Sequence, residues 1–168
     1  MKGRLEIFLI ALLLLADQGS KAFVQANMPY HESVAVLPFL AVHLTYNEGI
    51  AFSLFSFLGD KALIAVTVAI MVFVVWLWRQ AHVSRVWARV GFTLVFGGAL
   101  GNLIDRLVHG HVVDFILFHM PEWSFAIFNL ADSFITVGAA LILFDEFVVL
   151  RGGAEEEADN GDGRDGNA

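Results

Sequence analysis

Cysteine is absent from the 168 residues, which excludes disulfides, thiol catalysis and thiolate metal sites and leaves the compartment open. Charge is scarce as well. Asp, Glu, Lys and Arg make up 16% of the chain, where a soluble domain carries about 25%. No glycine-rich phosphate loop occurs, and no basic stretch interleaved with aromatics of the kind that grips nucleic acid. What is present is oil: 58% of the residues are hydrophobic, and they fall in long runs. Too little polar surface for water and enough apolar length for a bilayer together predict a polytopic membrane protein.

The net charge of −7 says little about the body of the chain. Residues 151–168 carry Glu155, Glu156, Glu157, Asp159, Asp162 and Asp165 against Arg151 and Arg164, a net −4. This stretch has nothing larger than alanine to bury and reads as a disordered acidic cytoplasmic tail. Residues 1–150 then form the membrane domain.

Four spans are expected, at about 5–24, 62–78, 90–107 and 125–150. The first resembles a signal peptide in its basic head and apolar core, but it lacks a small-x-small cleavage site and runs on through Ala22-Phe23-Val24. Asp17 and Lys21 at mid-span would together cost about 5–7 kcal/mol, against about 3–7 returned by the Leu, Ile, Phe and Val of that segment. The pair must therefore lie near the outer end or be paired, and its i,i+4 spacing with the acid first allows pairing on one face. Ionisable groups in spans also commonly mark a functional site, so both readings of this pair stay open. Ala62 to Trp78 contains no charge and ends in Trp76, Trp78 and Arg79, as an interfacial belt would. Gly97, Gly98 and Gly101 in the third span permit close helix approach. Residues 25–60 are too mixed to span and show partial alternation over Ser33–Tyr46, predicting a small β-sheet platform, with Pro38 demoting one strand to an edge.

Lys2, Arg4, Arg79, Arg85, Arg89 and Arg151 gather on one side of these four spans, which places both termini in the cytoplasm and residues 25–60 and 108–124 outside.

Asp114 precedes the fourth span, and Asp132 is expected about two turns into it. Two carboxylates held together in a low-dielectric site tend to share one proton. One can then take a proton from water while the other hydrogen-bonds a scissile carbonyl, which is aspartic peptidase chemistry. From spacing alone the same residues, with Asp17 and Asp105, equally allow a cation or proton relay. Asn102 and Asn129 are placed to hydrogen-bond the pair. Asp105 beside Arg106 reads as a local ion pair. His109, His111, Asp114 and His119 have a spacing zinc tolerates, but no second cluster supports it and no metal or cofactor is expected. Ser20 and Lys21, adjacent on a helix, diverge too far to form a dyad.

Five ordered motifs carry a resemblance. They are Asp17-Gln18 with Ser20-Lys21, Asn47-x-Gly49-x-Ala51-Phe52-Ser53, Gly101-Asn102-x-Ile104-Asp105-Arg106, Val112-Val113-Asp114-Phe115, and Phe128-Asn129-x-Ala131-Asp132-Ser133. Over residues 5–150 the chain resembles lipoprotein signal peptidase, the signal peptidase II family of the bacterial inner membrane. The resemblance implies four transmembrane helices with an extracytoplasmic β-cradle. It implies an aspartic endopeptidase that cleaves diacylglyceryl-modified prolipoproteins just before the lipid-bearing cysteine. Asp114 and Asp132 then correspond to the catalytic pair. Asn102, Arg106, Asn129 and Ala131 surround it, and Asp17, Lys21, Asn47 and Gly49 line or support the substrate site. Sensitivity to the cyclic peptide globomycin is implied too, as are lipid-modified signal peptides and membrane lipid as partners, no nucleic acid, and a monomer. Ile50 departs from the alanine common in the family, and the acidic tail lies outside the resemblance.

Overall fold

Hydropathy accounts for most of the helical architecture. The structure, a computed structural model, describes residues 2–49, 59–82, 84–120 and 123–162. Its elements in chain order are α1 (Lys2–Asn27), β1 (Ser33–Leu37), β2 (Leu40–Asn47), α2 (Gly59–Gln80), α3 (Val86–His109), β3 (Val112–Met120), β4 (Trp123–Ser124) and α4 (Leu130–Asp162). The Ala51-Phe52-Ser53 part of the platform motif, and Ile50 before it, lie outside the described residues. Among the described residues, three helices are long and apolar enough to cross a membrane, at Gly3–Asn27, Lys61–Gln80 and Val86–His109. The fourth, α4, carries Asp132 near its start and Asp145 and Glu146 further on.

Two boundaries differ from those expected. α4 begins at Leu130 rather than at about Phe125, because Phe128 is held to β3 by backbone bonds: Phe115 N and Ile116 N donate to Phe128 O at 3.0 and 2.7 Å. Asp132 is therefore in the first turn of the helix, not two turns in. At its far end α4 continues to Asp162, into the stretch read as a disordered tail. Ala154–Ala158 is rich in Ala and Glu, good helix formers that let the backbone carry on.

The sheet is also wider than expected. It is antiparallel in the order β1-β2-β3-β4, so residues 112–120, read only as an outer connecting segment, supply its third strand. Val112-Val113-Asp114-Phe115-Ile116-Leu117-Phe118 has the β-branched and aromatic content that favours a pleated, half-buried surface. Its pairing with β2 sets Asn47 opposite Val112 and Thr45 opposite Asp114. Gly110 (φ 77°), donating its N–H to Arg106 O at 3.1 Å, closes α3 and turns the chain straight into β3. Val24, Leu44, Val113 and Phe115 form a small core where α1 meets the sheet.

Helix α3 is the central post. A Cβ on Gly91 would lie 2.6 Å from the carbonyl oxygen of Gly138, and one on Gly138 equally close to that of Gly91, so α3 and α4 touch backbone to backbone. At the end away from the sheet, Arg85 bridges Asp145 and Glu146 of α4, both at 2.6 Å, and Arg89 pairs with Glu6 of α1. At the sheet end, a Cβ on Gly101 would stand 2.5 Å from Asp17 Oδ2. Gly101→Ala should therefore push α1 away and lower stability by about 1–3 kcal/mol. Gly19→Ala, with nothing within 4 Å of the new carbon, should not. Thermal unfolding of both variants in detergent checks this; equal shifts would refute the close approach.

Candidate active site

The site is assembled where the first turn of α4, the C-terminal end of α3 and strand β3 converge. Asn129 and Asp132 form a reciprocal cap at the start of α4. Asp132 N donates to Asn129 Oδ1 at 3.0 Å, and Asn129 N donates to Asp132 Oδ2 at 3.2 Å. This satisfies two amides that a helix N-terminus otherwise leaves orphaned. It also fixes the Asp132 carboxylate against the helix, half-exposed. Asp17 of α1 completes the cap from outside by accepting Ala131 N at 3.0 Å.

Asp114, 2% exposed, projects from β3 toward the same point. Its Oδ1 accepts Asn129 Nδ2 at 2.6 Å, and its Oδ2 accepts Asn47 Nδ2 at 3.0 Å from two residues along the partner strand. Asn47 is aimed by its own turn, since Gly49 N donates to Asn47 Oδ1 at 2.9 Å, which leaves the amide nitrogen for Asp114. That turn needs Gly49, whose φ is +91°.

The two aspartates are joined through two asparagines. Asn129 Nδ2 also donates to Asn102 Oδ1 at 3.1 Å, and Asn102 Nδ2 donates to Asp132 Oδ1 at 2.8 Å. Behind Asn102 lies a dry ionic cluster. Lys21 Nζ donates to Asn102 Oδ1 at 3.1 Å and pairs with Asp17 Oδ2 and Asp105 Oδ2, each at 2.8 Å. Lys21, Asp17 and Asp105 are all 2% exposed or less. The Asp17–Lys21 spacing thus does produce a pair on one face, and that pair supports the site as well.

Asp105 is not the partner of Arg106. It takes Lys21, the Val113 amide at 3.1 Å and Gln18 Nε2 at 2.8 Å, so it ties α1, α3 and β3 together. Arg106 donates to Asn102 O at 3.5 Å and lies within electrostatic reach of Asp132, Asp114 and Asp105. Gln18, which bonds both Asp17 and Asp105, is the site-supporting residue that spacing alone did not single out. Ser20 donates to Asp17 O at 2.8 Å, which leaves no serine–lysine dyad. His109 and His111 stack on each other, and His111 packs at a tilt against Tyr46, while both oxygens of Asp114 are already engaged by amides.

Asp132 opens onto a groove of about 440 Å³ lined by Phe125, Phe128, Ser133, Thr136 and Val137. The two hydroxyls are turned inward: Ser133 Oγ donates to Asn129 O and Thr136 Oγ1 to Asp132 O, so the groove presents an apolar wall.

Residues 9–148 match the family described as signal peptidase (SPase) II. The chain belongs to the signal peptidase II family. Lipoprotein signal peptidases of Brucella ovis and Brucella canis are 55% identical to it over 146 residues, covering 87% of this chain and 91% of theirs. A bacterial membrane enzyme solved by the in meso method at 2.3 Å resolution superposes with a TM-score of 0.77 at 30% identity, covering 89% of this chain and 90% of that one. A second, at 1.9 Å resolution, gives 0.74 at 33% identity over 83% and 90%. Membership makes this chain a membrane-embedded peptidase.

Within this signal peptidase II fold, the Asp114 carboxyl is displaced from its ordinary titration range. Burial raises it from the ordinary 3.8 to about 6; the charge of Asp132 adds to the rise, while the Asn47 and Asn129 amides and the Lys21 charge work against it. The folded protein holds this proton more tightly than the unfolded chain does. The resulting stability is complete below about pH 4 and is lost as pH rises through about 6. The thermal midpoint in detergent should therefore fall across that window, and Asp114→Asn should flatten the fall. An unchanged slope in the variant would assign the titration elsewhere.

Proposed function

We propose that this chain is an aspartic endopeptidase that removes the signal peptide from diacylglyceryl-modified prolipoproteins, cleaving before the lipid-modified cysteine. The observation that carries the reading is the pair Asp114 and Asp132, bridged by Asn102 and Asn129 at the mouth of an apolar groove. Asp114, buried and retaining its proton to about pH 6, is the acid; half-exposed Asp132 is the base. Asp132 takes a proton from a water whose oxygen attacks the scissile carbonyl carbon, and the Asp114 proton passes to the carbonyl oxygen. Collapse of the tetrahedral species then breaks the C–N bond, with the proton held by Asp132 going to the leaving nitrogen and one hydroxyl proton of the tetrahedral species returning to Asp114, which restores the pair. Lys21, Asp17, Gln18 and Asp105 hold Asn102, and Arg106 offsets negative charge developing at the pair. Asn47, Gly49 and Ala131 fix the rims.

The physical setting suits this substrate. A signal peptide is a membrane helix that must unwind to be cut at the interface, and its lipid chains must enter sideways from the bilayer. The groove along α4 beside Phe125 and Phe128 admits them, and the platform of residues 25–60 clamps the peptide over the pair. In this reading α4 is the fourth span of a monomer in the bacterial inner membrane. Both termini are cytoplasmic, the site faces the periplasm, and 151–168 stays outside the catalytic unit.

The test is cleavage by purified protein in detergent, followed as a mobility shift on a gel. A diacylglyceryl-modified prolipoprotein should be cut and its unmodified precursor should not, globomycin should block the reaction, and chelator should leave it intact. Equal cutting of both precursors would overturn the substrate assignment. Loss of activity to chelator with recovery on added zinc would overturn the mechanism.

A further inference from the structure

Two adjoining grooves that share Val75 run along α2 and α3, the first at the end of the bundle opposite the aspartates. The terminal one, about 330 Å³, is lined by Glu6, Val75, Trp78, Arg79 and Arg89. The other, about 320 Å³, runs toward the middle of the bundle between Met71 and Val72 on one wall and Phe96 and Leu103 on the other. The lining residues form one stripe on each helix. On α2 they are Val68, Met71, Val72, Val75, Trp78 and Arg79, spaced three and four apart. On α3, Arg89, Phe96 and Leu103 recur every seven residues. From Arg89 to Leu103 this trough is about 21 Å long, at 1.5 Å per residue. That exceeds the half-thickness of a bilayer's hydrocarbon core, about 15 Å.

The polar end is charged in a particular way. Arg89 is neutralised by Glu6, but Arg79, exposed on the last turn of α2, has no ion-pair or hydrogen-bond partner among the described residues. Beside it Trp78, packed on Phe96 at 6.3 Å, has a shielded indole N–H with no acceptor among the described residues. A cation and an interfacial tryptophan at the head of an apolar trough match the two halves of a phospholipid.

We propose that this trough holds one anionic phospholipid, its phosphate at Arg79 and an acyl chain along Val75, Val72 and Phe96. The site is separate from the peptidase reading and does not depend on it. A neutral cavity would take any lipid; the charge of Arg79, unpaired among the described residues, selects for a net negative headgroup.

The experiment is native mass spectrometry of the detergent-purified full chain. It is titrated in parallel with phosphatidylglycerol, with phosphatidylcholine of the same acyl chains, and with inorganic phosphate as competitor. Wild type should retain phosphatidylglycerol about fivefold better than phosphatidylcholine, the contribution expected of one arginine near a membrane surface. Arg79→Gln, at an exposed and unpartnered position, should fold normally and lose the preference. Val72→Phe should reduce retention of both lipids by filling the groove. Equal retention of the two lipids by wild type, or a preference surviving in Arg79→Gln, would overturn the proposal. So would unchanged retention in Val72→Phe, or displacement of the lipid by inorganic phosphate, which would make this a simple anion site.

Discussion

Asp114→Asn and Asp132→Asn should each lower prolipoprotein cleavage by about 10²–10⁴-fold, the range for removing a positioned acid or base. Both changes preserve size, so what they remove is the capacity to exchange a proton. Their structural costs differ, which allows the two effects to be separated. Asn at 114 would set an NH2 group against the amide of Asn47 or Asn129, since both oxygens of Asp114 now accept from amides. One of the two must rotate or lose its bond, at about 1–3 kcal/mol. Asn at 132 keeps one oxygen and must give up either the Asn102 amide or the cap on Asn129 N. The cap is worth about 1 kcal/mol. Thermal midpoints measured beside turnover therefore show whether lost activity tracks lost fold. If either variant cleaves within tenfold of wild type, that aspartate is not the acid or base.

The parts of this architecture that read directly from sequence are those set by local pattern. Apolar runs place α1, α2 and α3 to within a few residues, because hydropathy and helical periodicity act over single turns. The membership of Asp114 and Asp132 in one site is legible in the motifs around them. The way they are joined is not, since it depends on Asn102 and Asn129 meeting across two helices. Strand β3 was missed for the same reason. Its partner β2 lies far back in the chain beyond a whole hairpin of helices, and an apolar run with no nearby strand reads as a connector. Yet Val112–Phe118 had strand composition, and Asn129-x-x-Asp132 before an apolar run is a capping-box pattern that would have started α4 at the right residue. Asp105 shows the limit most clearly. Its sequence neighbour Arg106 is the obvious partner, but consecutive helical residues point about 100° apart, and the inward direction met Lys21 instead.

Lys21→Met should be the most damaging single change to the fold. Among the described residues, Lys21 is the one cation bonded to the buried Asp17 and Asp105 carboxylates, and it also donates to Asn102. Methionine fills similar volume but leaves two acids buried close together without it. Breaking a buried ionic cluster from one side costs about 3–5 kcal/mol. For a chain of this length that is a drop in midpoint of about 6–20 °C. Asp105→Asn should cost less, about 1–3 kcal/mol, because the Asp17–Lys21 pair survives the loss of the Lys21–Asp105 pair and of either the Val113 or the Gln18 bond. The double variant should then be more stable than the sum of the two losses, since removing one acid relieves the repulsion that Lys21→Met exposes. Strict additivity would mean that Lys21 and Asp105 do not share one electrostatic unit. Turnover gives a second readout. Lys21→Met should slow cleavage even below its unfolding temperature, because Asn102 loses the bond that holds its amide toward Asp132. Full activity in the folded variant would confine Lys21 to stability alone.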